Sequence, residues 1–129
     1  MLNYTWSMDY SVQNSVLDDH HKNLLKLFND AYDLIISKAP VENTIKLISE
    51  LKVYSIFHFS EEEKLMRAAN YPYYEEHVKE HKKFIEDITK FKDDISEQTS
   101  DLNEEIFLFL SDWLIHHIQK TDRKYIDFL

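Results

Sequence analysis

In the stretch EEHVKEHKKF, residues 75–84, His77 and His81 stand four residues apart. On a helix that is about 40° of rotation, so both imidazoles leave one face a turn apart. The same interval separates His58 from Glu62. The chain carries seven histidines and no cysteine, which excludes disulfides, thiolate ligands and thiol catalysis. Its chemistry must rest on nitrogen and oxygen donors. A metal ion takes up neutral imidazole nitrogens without leaving buried polar atoms unpaired.

The phase of each histidine against its apolar neighbours decides which ones point inward. His58, His77, His81 and His117 continue apolar rows. His21 lies 3, 4, 7, 11 and 14 residues before Leu24, Leu25, Phe28, Tyr32 and Ile35, and His117 lies 3, 4, 7 and 11 after Leu114, Trp113, Leu110 and Ile106. His20 and His116, the other members of the two HH pairs, are one residue out of phase and are expected to face outward. Of the acidic run EEEK at 61–64, only Glu62 is in phase; Glu61 and Glu63 read as a solvated face. Asp122 follows His117 by five residues, about 140° in a straight helix. Either the helix ends or widens there, as in a π-type turn, or Asp122 is not a ligand.

Five inward imidazoles with one or two carboxylates exceed the four protein ligands of a structural zinc site. Two adjacent metal ions would absorb them, and a mixed nitrogen and oxygen set suits iron better than calcium or magnesium. The residues three before the inward histidines are Asp18, Ser55, Tyr74, Val78 and Leu114, so the Glu-x-x-His motif of carboxylate-rich diiron bundles is absent.

The elements that must position these donors are helices. With 129 residues, 43 % hydrophobic content, no glycine and two prolines, the chain suits one domain, 1–129, of long uninterrupted helices. Tyr4, Trp6, Met8, Tyr10 and Val12 alternate as in an extended arm ending near residue 16. Helix one is expected over about 18–37. Pro40 suits the first turn of helix two, whose stripe is Leu47, Ile48, Leu51, Ser55, His58, Glu62 and Leu65, with Asn70 as a left-handed end. Pro72 would open helix three, with Tyr74, His77, His81, Phe84, Ile88, Phe91 and Ile95 on its stripe. A loop at 96–101, SEQTSD, leads to helix four with Leu102, Ile106, Leu110, Trp113, Leu114 and His117, and a tail follows residue 121. The economical packing is all-α, an antiparallel up-down four-helix bundle with an extended N-terminal arm.

The net charge of −9 argues against nucleic acid and against an anionic membrane surface. No stretch approaches the roughly 18 apolar residues of a spanning helix. The N-terminal residues show no export signal, so a cytoplasmic protein is expected.

LDDHHK at 17–22, HFSEEEKLM at 58–66, YPYYEEHVKEHKKF at 71–84 and WLIHHIQKTDRKY at 113–125 together resemble the ligand segments of the hemerythrin family, and within it the single-domain bacteriohemerythrins. The resemblance spans nearly the whole chain. It implies two non-haem iron ions with a bridging oxo or hydroxo group, one held by His77, His81 and His117 and the other by His21 and His58, with Glu62 and Asp122 bridging. The family's H-x-x-x-x-D spacing is matched by His117 and Asp122, which resolves the doubt over Asp122. The iron with two histidines keeps an open position for dioxygen, and Trp113, Leu114 and Ile118 match the apolar wall beside it. Two positions depart from the family pattern: His20 stands where relatives often have glutamine, and Asn70 where they often have glycine.

The function so implied is reversible dioxygen binding for storage, delivery or scavenging, not catalysis. The alternatives from other classes are a diiron oxidoreductase acting on dioxygen, peroxide or nitric oxide, fed by a protein reductase, and an oxygen or redox sensor.

Overall fold

The computed structural model describes residues 4–129. The expected domain, 1–129, includes three residues outside that range. Four helices account for most of it: α1 (Ser15–Ile36), α2 (Val41–Ala68), α3 (Tyr74–Asp94) and α4 (Ser100–His116). Helix α1 packs on α2 and α4, and α3 packs on the same two, which closes the up-down ring. Among the described residues there is no strand.

Local chemistry sets the ends. The Asn14 side chain accepts from the backbone N–H groups of Val16 and Leu17, so α1 starts three residues before the expected 18. Pro40 sits just outside α2, and its carbonyl accepts from Asn43 N–H. Asn70 takes φ 54°, the left-handed end expected of it. Pro72 lies in the turn ahead of α3, which begins at Tyr74 and not at the proline. The loop expected at 96–101 is shorter, because a 3-10 turn covers Ile95–Glu97 and Thr99 caps α4 through Leu102 N–H. The arm before α1 holds a 3-10 turn at Met8–Tyr10 between extended Ser7 and Ser11, and it bends again at Gln13, which takes φ 59°.

Two phases differ from expectation. On α2 Leu65 is 38 % exposed and Met66 is buried in its place. On α4 Leu102 is exposed and Ile106 only half-buried, while Phe107 is fully buried. Both stretches are apolar at neighbouring positions, so periodicity alone does not choose between them.

Two apolar clusters are stacked along the bundle. The larger contains Leu24, Phe28, Phe59, Phe84, Ile88, Phe107 and Leu114; the smaller contains Val12, Leu17, Met66, Tyr71 and Tyr125. Each fully buried side chain of this kind contributes about 1.5–3 kcal/mol relative to exposure. Helices α1, α2 and α3 carry residues of both clusters, Tyr125 of the C-terminal turns joins the smaller one, and buried along with them are His21, His58, Glu62, His77, His81, His117 and Asp122. The polar layer is buried, with an apolar cluster on either side of it.

Candidate metal centre

Each helix delivers its donors to this layer. His21 comes from α1, His58 and Glu62 from α2, and His77 and His81 from α3. His117 opens a π-helical turn, His117–Thr121, in which the Asp122 N–H bonds to the His117 carbonyl. That i to i+5 bond cancels the rotation a straight α-helix would impose, and Asp122 falls into line with His117.

Glu62 and Asp122 are both 0 % exposed, and each divides its two oxygens. Glu62 Oε1 lies 2.8 Å from His77 Nε2 and 2.9 Å from His81 Nε2. Asp122 Oδ1 lies 2.9 Å from both His77 Nε2 and His117 Nε2. The other oxygens face the opposite way: Glu62 Oε2 is 3.3 Å from His58 Nε2, and Asp122 Oδ2 is 3.2 Å from His21 Nε2. Two groups of buried donors result, one of His77, His81 and His117 and one of His21 and His58, and both include Glu62 and Asp122. Within each group the donor atoms lie within 4.8 Å of one another.

The electrostatics are those of a site built for cations. Burial opposes charge on His117 and His77, yet Asp122 and Glu62 lift their imidazoles to about 10 and about 9 respectively. Against its own burial, Asp122 is held well below the usual carboxylate range, with repulsion from Glu62 outweighed by His117 and His21. Glu62 is depressed likewise by His58, His77 and His81. His58 goes the other way, because burial, helped by the neighbouring His21, outweighs the pull of Glu62 and Asp122.

The fit of the layer to metal ions can be judged from its unsatisfied atoms. His21 Nε2 and both Asp122 oxygens are buried without a properly oriented hydrogen-bond partner, although His21 Nε2 and Asp122 Oδ2 are 3.2 Å apart. The atoms are close, but their N–H and lone-pair directions miss one another. His81 Nε2 and His117 Nε2 also face each other at 3.2 Å. Lone pairs converging on a shared point, with two acids between two imidazole sets, fit a pair of cations better than they fit a hydrogen-bond network.

Of the far nitrogens, those of His21 and His81 meet acceptors, whereas His77 Nδ1 and His117 Nδ1 have no hydrogen-bond partner. His21 Nδ1 is 3.3 Å from the Tyr10 carbonyl and His81 Nδ1 is 2.8 Å from Glu63 Oε2. Both partners only accept, so each Nδ1 carries the proton and each Nε2 lone pair faces the layer. Glu80 Oε1 stands 3.8 Å from His117 Nδ1, beyond direct bonding distance. Tyr125 donates to Glu62 Oε2 at 2.9 Å.

All seven donors expected from the sequence therefore meet in one place. Of the expected pocket wall, Leu114 and Ile118 are buried, and half-buried Trp113 stacks on His117 with 5.1 Å between ring centroids. His116 is exposed as expected. Two expectations fail. Glu63 is not merely solvated, since its partly buried carboxylate holds His81. His20 does not face outward; it is 9 % exposed and packs against His58. Sequence reasoning also missed Tyr125 and the Tyr10 carbonyl, which approach the site from segments with no helical period to carry the signal.

Comparison with known proteins gives a consistent result. The family described as hemerythrin HHE cation binding domain matches residues 13–129. The bacteriohemerythrin of Clostridium acetobutylicum is 30 % identical over 128 residues, covering 96 % of this chain and 99 % of that protein. The myohemerythrin of Theromyzon tessulatum is 31 % identical over 122 residues, covering 95 % and 90 %. A crystal structure of wild-type hemerythrin superposes with a TM-score of 0.88 at 26 % identity, over 98 % of this chain and 97 % of that one.

Proposed function

This chain belongs to the hemerythrin family, and on that premise we propose that it binds dioxygen reversibly at a pair of iron ions held between its four helices. The observation that carries the proposal is the division of Glu62 and Asp122, each offering one oxygen to the three-histidine group and one to the two-histidine group.

In this reading His77, His81 and His117 would hold one ion, His21 and His58 would hold the other, and Glu62 and Asp122 would serve both. When bound there, a ferrous pair would supply the two electrons that dioxygen binding draws on. The protein's contribution is positional. The acceptors at Tyr10 and Glu63 fix two of the imidazoles, and the Tyr125 hydroxyl holds one oxygen of Glu62. Trp113, Leu114 and Ile118 form the apolar wall of the dioxygen pocket. By withholding water and protons, that wall favours release of dioxygen over its irreversible reduction. Residues 1–129 act as a single domain with binding, not turnover, as its task. Among the described residues no helix is long and apolar enough to cross a membrane. A cytoplasmic location belongs to the same proposal.

The test is anaerobic reconstitution with ferrous iron, followed by elemental analysis and absorption spectra through repeated oxygenation. Two irons per chain are expected, with a visible band that forms in air and bleaches when oxygen is removed. A band that never forms, or one that decays with each cycle as peroxide accumulates, would overturn reversible binding.

A further inference from the structure

The tandem pair His20–His21 closes on His58 from two sides. The His21 ring meets the His58 ring at 4.8 Å between centroids and 70°, and the His20 ring meets it at 5.1 Å and 87°. The two contacts differ in kind. His21 shares the carboxylate layer with His58, whereas His20 presents its Nδ1 to His58 Nδ1 at 3.0 Å, on the side away from Glu62. The His20 ring is itself held by aromatic neighbours, with Phe57 at 5.1 Å and Tyr54 edge-on at 6.0 Å.

Two ring nitrogens at 3.0 Å can share one proton only. With none, two lone pairs oppose each other; with two, both N–H groups collide. The carbonyl and carboxylate behind His21 and His81 settle the matter there because they can only accept. Behind His58 stands a group that could do either, so the direction is set by the other end of the His58 ring. Its Nε2 faces Glu62 Oε2 and Asp122 across the layer, and a cation there requires the Nε2 lone pair. The His58 proton then sits on Nδ1, and His20 must accept it while its own proton sits on Nε2.

We propose that His20 is a positioning residue for the two-histidine half of the centre: its Nδ1 accepts the Nδ1–H of His58 and fixes which His58 nitrogen faces the carboxylates. This rests on the reading of His58 as an iron ligand. It also explains why a residue out of phase with its own helix is buried: its contact lies across the α1–α2 interface and not in the core.

The experiment compares wild type with His20→Gln and His20→Phe. The glutamine side-chain oxygen can accept the same proton, whereas phenylalanine preserves the aromatic packing and accepts nothing. Each protein is loaded anaerobically with ferrous iron, and the loss of each iron to an excess of chelator is followed, with circular dichroism of the metal-free forms as a check on folding. His20→Phe is expected to release one of its two irons roughly 10–100-fold faster than wild type, as for other outer-shell partners. The other iron should stay, and His20→Gln should behave nearly as wild type. The proposal is overturned if His20→Phe keeps both irons at the wild-type rate, or if both variants lose them equally, which would assign His20 to packing alone. A wild-type chain that fails to load two irons would instead remove the underlying reading of the site.

Discussion

The Tyr125 hydroxyl donates to Glu62 Oε2 at 2.9 Å in a fully buried pair joining the C-terminal turns to α2. Burial and the charges of Glu62 and Asp122 push the phenol well above its ordinary range, so it remains a donor at any working pH. Tyr125→Phe keeps the ring and removes the bond. A bond to a charged group is worth about 1.5–3 kcal/mol, so urea denaturation of the metal-free variant should show a loss of that order. An unchanged midpoint would mean that Glu62 finds another partner.

The ligand assignment is tested by paired substitutions. His77→Ala or His81→Ala should abolish two-iron loading, because each removes a nitrogen facing Glu62 Oε1 from the three-histidine group. His116→Ala, at an exposed position on the neighbouring turn, should load normally. Elemental analysis decides, and normal loading of either member of the first pair would count against the site as drawn.

Metal-free protein should be most stable close to pH 6.5 and lose stability on both sides. His77 and His117 are raised to about 9 and about 10, and His21 is raised too, so their contribution is complete below 6.5 and lost as the pH climbs toward those values. His58 and His20 are lowered, chiefly by burial. Below 6.5 the unfolded chain takes up protons that these folded rings refuse, and stability falls. Further acid removes the contribution of Glu62 and Asp122, whose depressed values stabilise only above the ordinary carboxylate range. Iron holds the ligand imidazoles neutral, so the alkaline loss should flatten on loading. Thermal melts across pH with and without iron check both slopes.

What the sequence made legible was the set of groups whose position follows from helical phase. His21, His58, His77, His81 and His117 were readable because each extends an apolar row on its own helix. Asp122 required a departure from the α period, and the π turn at His117–Thr121 supplies it. The misses share a cause. His20 meets His58 across 38 positions, Glu63 meets His81 across 18, and Tyr125 meets Glu62 across 63. A contact between elements leaves no periodic trace in either one. The α4 phase failed for a different reason: IFLFL at 106–110 is apolar at every position, so any stripe can be drawn through it.

The arm before α1 offers the last test, because it reaches the centre without contributing a side-chain donor. Asp18, in the first turn of α1, accepts from Ser11 Oγ at 2.6 Å and from the Val12 N–H at 2.8 Å. Those two bonds hold the segment that presents the Tyr10 carbonyl to His21 Nδ1. Asp18→Ala removes both and leaves the buried Ser11 and Val12 donors unpaired, at about 1–3 kcal/mol for each orphaned group. The arm should then open to limited proteolysis, and His21 should lose the acceptor that fixes its tautomer. Asp18→Asn keeps an oxygen for one of the two donors and should fall between Asp18→Ala and wild type in protease resistance and in iron retention. If Asp18→Ala leaves the arm protected and both irons in place, the other clasp on the arm, the paired bonds between Asn29 and the Tyr4 backbone, is enough to hold it.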